Sequence, residues 1–220
     1  MDTTQAVRAL GAGGHAFQAD LSNEAACRGL LGAVVTHLGR VDAVVNNASM
    51  FVADDPFSFS HAAMERHWRA NTAPAILLAQ SLHCHVGERG VSGCVVNLLD
   101  QKLWNPNPDF FSYTLSKAAL QAATVMLSQA LAPGLRVCGV APGVTLPSGA
   151  MNEAQFQLAA QMTPLKRSST AQDIARAVRF LIESPAITGT TLLVDGGQHL
   201  VPQPRDVQFL AQSIEASKHD

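Results

Sequence analysis

Residues 94 to 117 read CVVNLLDQKLWNPNPDFFSYTLSK, and the order of residue types in that stretch decides the fold. Cys94 to Leu99 is a short apolar run that stops at Asp100, the pattern of a strand buried on both faces. Pro106 and Pro108 cannot sit inside a helix, so the chain must cross a loop there. From Phe110 to Leu131 the spacing predicts a helix, with Asp109 in the capping position.

The same alternation recurs along the chain. Further strands are expected at Ala16 to Asp20, Val41 to Asn46, Arg136 to Ala141 and Thr191 to Asp195. Helices are expected from Asn23 to about Leu38, where Gly39 stops the run, from Ala62 to Val86, and from Thr170 to about Ile182. Strands separated by helices give an α/β fold around a parallel sheet. At 220 residues, with 47% hydrophobic and 15% charged side chains, one domain spanning 1–220 is expected.

Bulk properties narrow the function. A net charge of −2 offers no positive field for nucleic acid or anionic lipid. No apolar run reaches the roughly 20 residues needed to span a bilayer, and the first residues lack a signal peptide's pattern, so the expected location is cytoplasmic, with no nucleic-acid or membrane partner. Cys27, Cys84, Cys94 and Cys138 show no ligand-like pairing. His83 and His85 flank Cys84, but neighbours on a helix point about 100° apart, and no metal is expected.

Several short motifs bear on chemistry. Tyr113 and Lys117 stand four apart on a helix, so phenol and ammonium share a face. A tyrosine with a pKa near 10 exchanges protons only when positive charge stabilises the phenolate, and Lys117 can supply it. Read alone, such a pair is more often a surface contact. Asn46-Asn47-Ala48-Ser49 ends a strand at the edge where α/β sheets bind ligands. Asn71 lies inside a helix, where an amide competes with the backbone. Pro142-Gly143-Val144-Thr145 and Val194-Asp195-Gly196-Gly197 end two more strands. Taken singly, each is an ordinary turn or a solvent-facing side chain.

Taken in order, these elements resemble the short-chain dehydrogenase/reductase family over nearly the whole chain, which implies a Rossmann-like doubly wound sheet flanked by helices. The resemblance implies NADP(H) as cofactor. It also implies a proton relay in which Tyr113 is the acid, Lys117 also holds the nicotinamide ribose, and Asn71 orders a water. Most members carry Ser thirteen residues before the tyrosine; here that place is Asp100, as in pteridine reductases. The same subgroup is matched by Ala19-Asp20-Leu21-Ser22-Asn23, by Asn46 to Phe51 and by Thr163-Pro164-Leu165. The resemblance places Asp20 and Leu21 by the adenine and Asn47, Ala48, Pro142 and Gly143 along the cofactor. It sets Ser49 against cofactor and pterin, Val144 and Thr145 near the nicotinamide amide, and Phe51 stacked on the substrate. Chemistry agrees, since a carboxyl at Asp100 can protonate a pterin ring nitrogen while hydride adds to the adjacent carbon.

The family begins with a strand, a TGxxxGIG loop, a helix and a second strand, and this sequence shows none of them. The expected fold therefore lacks its first βαβ unit, and residues Thr3 to Leu10 read as the tail of a helix. Gly11-Ala12-Gly13-Gly14 matches the turn into the family's third strand rather than a nucleotide loop. The expected activity is NADPH-dependent reduction of a pterin or dihydrofolate-like ring. The alternatives are a carbonyl reductase acting on a 3-oxoacyl compound or a sugar, and a non-catalytic fragment or binding subunit. Relatives assemble as tetramers or dimers, and Phe111, Leu115, Ala118, Ala122, Val125 and Met126 offer one apolar helix face for a homo-oligomer.

Overall fold

The computed structural model describes Gln5, Ala9 and residues 13–147 and 151–217. Most of the expected Thr3 to Leu10 helix, and Ser148 and Gly149 of the loop after the third strand, lie outside the described residues. Four parallel strands form one sheet in the order β1 (Ala43–Asn46), β2 (Gly93–Leu98), β3 (Leu135–Pro142) and β4 (Thr191–Val194). Around it run α1 (Glu24–Leu38), α2 (His61–His67), α3 (Ala73–Glu88), α4 (Phe111–Ala130), α5 (Glu153–Gln161), α6 (Ala171–Glu183) and α7 (Val207–Ala216).

Every residue of β2 is buried, and the strand's period of two distributes its side chains between two cores. Val95 joins Val137, Leu135, Leu82, Val86 and Leu31 beneath α1 and α3. Cys94, Val96 and Leu98 join Cys138, Val140 and Leu181 beneath α6. A sheet covered on both sides explains why the strands read as unbroken apolar runs.

Local chemistry sets the helix ends. Asn23 accepts from the Ala26 amide at the start of α1, and Gly39 takes φ 82° at its end, a left-handed angle that suits glycine. Thr170 and Asp173 form a reciprocal capping box on α6.

The structure corrects three expectations. Ala16 to Asp20 forms no strand: β1 is the last strand of the hydrogen-bonded order, and an extended segment without a partner has no ladder to join. Ala62 to Val86 is not one helix. It is broken at Trp68–Thr72 by a wide turn in which the Ala73 amide reaches back five residues to Trp68, next to Pro74, which has no N–H to continue the regular pattern. Asp109 does not cap α4. Phe110 holds that place in a left-handed conformation, φ 53°, and the free amide of Ser112 is met instead by Asp54 at 2.9 Å, whose other oxygen binds the Ser112 hydroxyl. Asp109 turns to Arg205, at 2.9 and 2.8 Å, and to the Asp206 amide. Two helices went unread in the sequence, α5 and α7, although Asn152 with Gln155 forms a capping box on α5.

Candidate active site

The C-terminal ends of β1, β2 and β3, with the first turns of α4, open into one cleft of about 700 Å³ lined by Asn47, Ser49, Asp100, Tyr113, Lys117, Pro142, Gly143 and Thr145. Eight of the residues singled out in the sequence thus meet in one space. An adjoining cavity of about 310 Å³ shares Ser49, Asp100 and Tyr113 with it and adds Phe51 and Val144. Gly143 has a steric reason to be glycine: a Cβ there would stand 2.7 Å from Asp195 and from the Gln198 carboxamide.

The Tyr113 hydroxyl donates to Asp100 Oδ2 at 2.7 Å, and the Lys102 amide donates to Asp100 Oδ1 at 2.8 Å. Lys117 Nζ donates to the Leu98 carbonyl at 2.7 Å and stands 5.8 Å from the centre of the Tyr113 ring. Burial pushes the Asp100 carboxyl above the usual carboxylate range. Burial, followed by the charge of Asp100 and the hydrogen bond to it, pushes Tyr113 well above 10. Burial, partly opposed by Asp100, lowers Lys117 to about 8. This corrects the simple picture of a phenolate stabilised by Lys117: burial, reinforced by Asp100, keeps the phenol neutral. The pair Asp100 and Tyr113 is arranged to hold protons.

Asn71 is placed by the wide turn. Its Oδ1 accepts from the Met50 amide at 2.6 Å and from Ser49 Oγ at 3.3 Å, and its Nδ2 donates to the Met50 carbonyl and to Ser116 Oγ, both at 3.0 Å. It ties the segment carrying Ser49 and Phe51 to α4, and makes no direct hydrogen bond to Tyr113 or Lys117 among the described residues. Phe51 stacks on Phe110 with centroids 4.0 Å apart, meets Tyr113 edge-on at 4.7 Å, and is 37% exposed, so one face is covered and the other open. Phe209 extends the column, 5.7 Å from Phe110.

Other candidates lie elsewhere. Ala48 and Leu21 line a groove of about 250 Å³ beside β1, together with Asn47, Leu31, Val34 and Val44. Asp20 is exposed, and its carboxylate accepts from the Ser22 amide at 2.9 Å and hydroxyl at 2.7 Å. Sequence reading missed Gln101, Asp206 and Val207, all of which line the smaller cavity. Asp206 arrives there through the fold, since Lys102 Nζ, buried, donates to it at 3.0 Å across 104 positions. Among the described residues no group of three or more His, Cys, Asp or Glu side chains could hold a metal ion. No helix among them is long and apolar enough to cross a membrane.

A family model described as enoyl-(acyl carrier protein) reductase matches residues 1–199. Among solved structures, FolM alternative dihydrofolate reductase 1 from Brucella canis, complexed with NADP, is similar with a TM-score of 0.85 and 37% identity, over 92% of this chain and 80% of that one. Pteridine reductase 1 of Leishmania tarentolae is 32% identical over 197 residues, 79% of this chain and 68% of the relative. 3beta-hydroxysteroid dehydrogenase 1 of Eggerthella lenta is 31% identical over 208 residues, 91% of this chain and 80% of the relative.

Proposed function

Because the chain belongs to the short-chain dehydrogenase/reductase family, we propose that it works as an NADP(H)-dependent reductase of a pterin or dihydrofolate-like ring. One observation carries this reading: a buried carboxyl, Asp100, hydrogen-bonded to the Tyr113 phenol on the wall of a cavity whose flank is the open face of Phe51. Hydride addition to a ring carbon leaves negative charge on the adjacent nitrogen, which a neighbouring acid must neutralise. Burial biases Asp100 toward its protonated form, the form that can give one proton to the nitrogen, and the Tyr113 phenol, which donates to the carboxyl at 2.7 Å, can then replace it.

The nicotinamide end of the cofactor suits the residues present. Lys117, Asn47, Ser49, Pro142, Gly143 and Thr145 share the larger cleft, and the missing side chain of Gly143 leaves the strand-end turn narrow. When bound, the cofactor supplies the hydride. Among the described residues no glycine-rich turn opens a helix toward its phosphates, so the reading gives this chain the reacting end of the site, with Asp20 and Leu21 toward the adenine. Leu115, Ala118, Ala122, Val125 and Met126 lie exposed along one face of α4, and this face supports a homo-oligomer.

Consumption of NADPH absorbance with 7,8-dihydrobiopterin or dihydrofolate tests the proposal: turnover is expected, and its absence overturns it. The similarity to a hydroxysteroid dehydrogenase favours a second reading, reduction of a carbonyl with Asp100 incidental. Ketone reduction that survives Asp100→Asn, with no pterin turnover, establishes that reading instead. Calorimetry with NADPH addresses a non-catalytic fragment or binding subunit, against which micromolar binding argues.

A further inference from the structure

The ladder between β3 and β4 ends with Pro142 opposite Val194, and the Gly143 amide then donates to the Val194 carbonyl at 3.1 Å. The next amide, that of Val144, finds no backbone partner among the described residues. A side chain receives it instead: Gln198 Oε1 accepts from it at 3.1 Å across 54 positions. Ser169 Oγ donates to the carbonyl of the same residue at 3.3 Å. Both polar groups of the Val144 backbone are thus held by side chains from outside the turn.

Gln198 is itself fixed. It is 6% exposed and opens a 3-10 turn directly after Gly197, which takes φ 82°. Buried Asp195 gathers that turn: its Oδ1 accepts from the Gly197 amide at 2.9 Å and its Oδ2 from the His199 amide at 2.8 Å. The carboxamide comes close because residue 143 has no side chain, since a Cβ there would stand 2.7 Å from Gln198 Oε1. The Val194-Asp195-Gly196-Gly197 run, an ordinary turn when read singly, leads into a rigid mount for one carboxamide. What that carboxamide holds is part of the site: Pro142, Gly143 and Thr145 line both the larger cleft and the smaller cavity, and Val144 lines the smaller.

We propose that Gln198 is a positioning residue, whose Oε1 sets the Val144 peptide and with it the turn that walls both spaces. It acts through that turn and not on the reacting atoms. Without the acceptor, nothing among the described residues pairs the amide, and the turn loses the bond that fixes its peptide plane. Misplacement by about 1 Å costs a reaction roughly a hundredfold in rate, so a small shift of this wall is enough to be seen. The inference rests on the reductase reading and adds to it the residue that steadies one wall of the site, whether a ring or a carbonyl is reduced.

The test compares the whole chain with Gln198→Met, which keeps length and bulk without the oxygen, and Gln198→Glu, which keeps an acceptor in either protonation state. Hydrogen exchange of the Val144 amide, followed by NMR, reads the bond directly. Exchange is expected to be faster by about tenfold or more in Gln198→Met, and to return toward the parent rate in Gln198→Glu. Amides of β2 are expected to exchange alike in all three chains, which a general loss of stability would not allow. With NADPH and 7,8-dihydrobiopterin, kcat is expected to fall by about tenfold or more in Gln198→Met and to recover in Gln198→Glu. The pH profile of kcat should keep its shape, because Asp100 and Tyr113 are untouched. Unchanged Val144 exchange in Gln198→Met overturns the proposal, and so does faster exchange with unchanged kcat and KM. Exchange that quickens equally in β2 makes Gln198 a packing residue and overturns it too. A parent chain that binds NADPH but turns over no pterin overturns the pterin reading alone; NADPH affinity by calorimetry then replaces kcat, and equal affinity in parent and Gln198→Met overturns the role of Gln198. A parent that neither binds NADPH nor turns over pterin overturns both.

Discussion

The seam between β2 and α4 and the flank beside β1 belong to one sheet but follow different rules. Along the seam the key polar side chains are matched: β2 is wholly buried, Asn97 joins Asn46 at 2.8 Å to Thr124 at 2.9 Å, and Asp100, Tyr113 and Lys117 are each hydrogen-bonded. Beside β1, Val45 is 42% exposed, the segment Ala16 to Asp20 joins no strand among the described residues, and an apolar groove stays open. Proton chemistry needs donors fixed to within fractions of an ångström, and a saturated seam provides that.

The comparison can be broken most directly at its centre. Tyr113→Phe is expected to lower turnover by about a thousandfold without unfolding the chain, as removal of a general acid does; NADPH consumption and circular dichroism measure the two. Lys102→Met is next. It strands Asp206, so about 4 kcal/mol of stability should be lost in denaturant unfolding, and adding Asp206→Leu should restore part of it. Leu82→Ala hollows the core behind β2 and should cost about 3 kcal/mol in the same assay.

A pH series sharpens the contrast. Lys117 is lowered to about 8 from its ordinary 10.5, so between those values the unfolded chain binds a proton that the folded chain has released. Stability from this group should therefore rise with pH across that window, by about 2 kcal/mol between pH 8 and 10, and Lys117→Met should abolish the rise. Smallest of all, Val45→Thr on the open flank should shift stability by no more than about 0.5 kcal/mol.

Much of the seam was legible in the sequence because its information is local. Strand ends fell within about two residues of their places, and Asn23, Gly39 and Thr170 marked helix boundaries through hydrogen bonds to residues three or four away. Ala16 to Asp20 looked like a strand and is none, because an apolar run specifies readiness to pair and never the partner. Asp109 looked like a cap; the role went to Asp54, 58 positions away, a choice that only tertiary contact can make. Tyr113 and Lys117 were found by spacing, and Asp100 through the family resemblance. Lys102 with Asp206 was not, since nothing in either neighbourhood announces the other. The protonation of Tyr113 needed the geometry, because burial and Asp100 act against the lysine that the motif brings to attention.

Arg205 and Asp206 bolt α7 to Asp109 and Lys102, and Asp206 and Val207 line the smaller cavity. The family match ends at residue 199. Asp100 and Tyr113 lie within the matched stretch, whereas Asp206 and Val207, on the same cavity, lie beyond it. A change at Asp206 or Val207 therefore alters the lining of the cavity without altering the pair Asp100 and Tyr113.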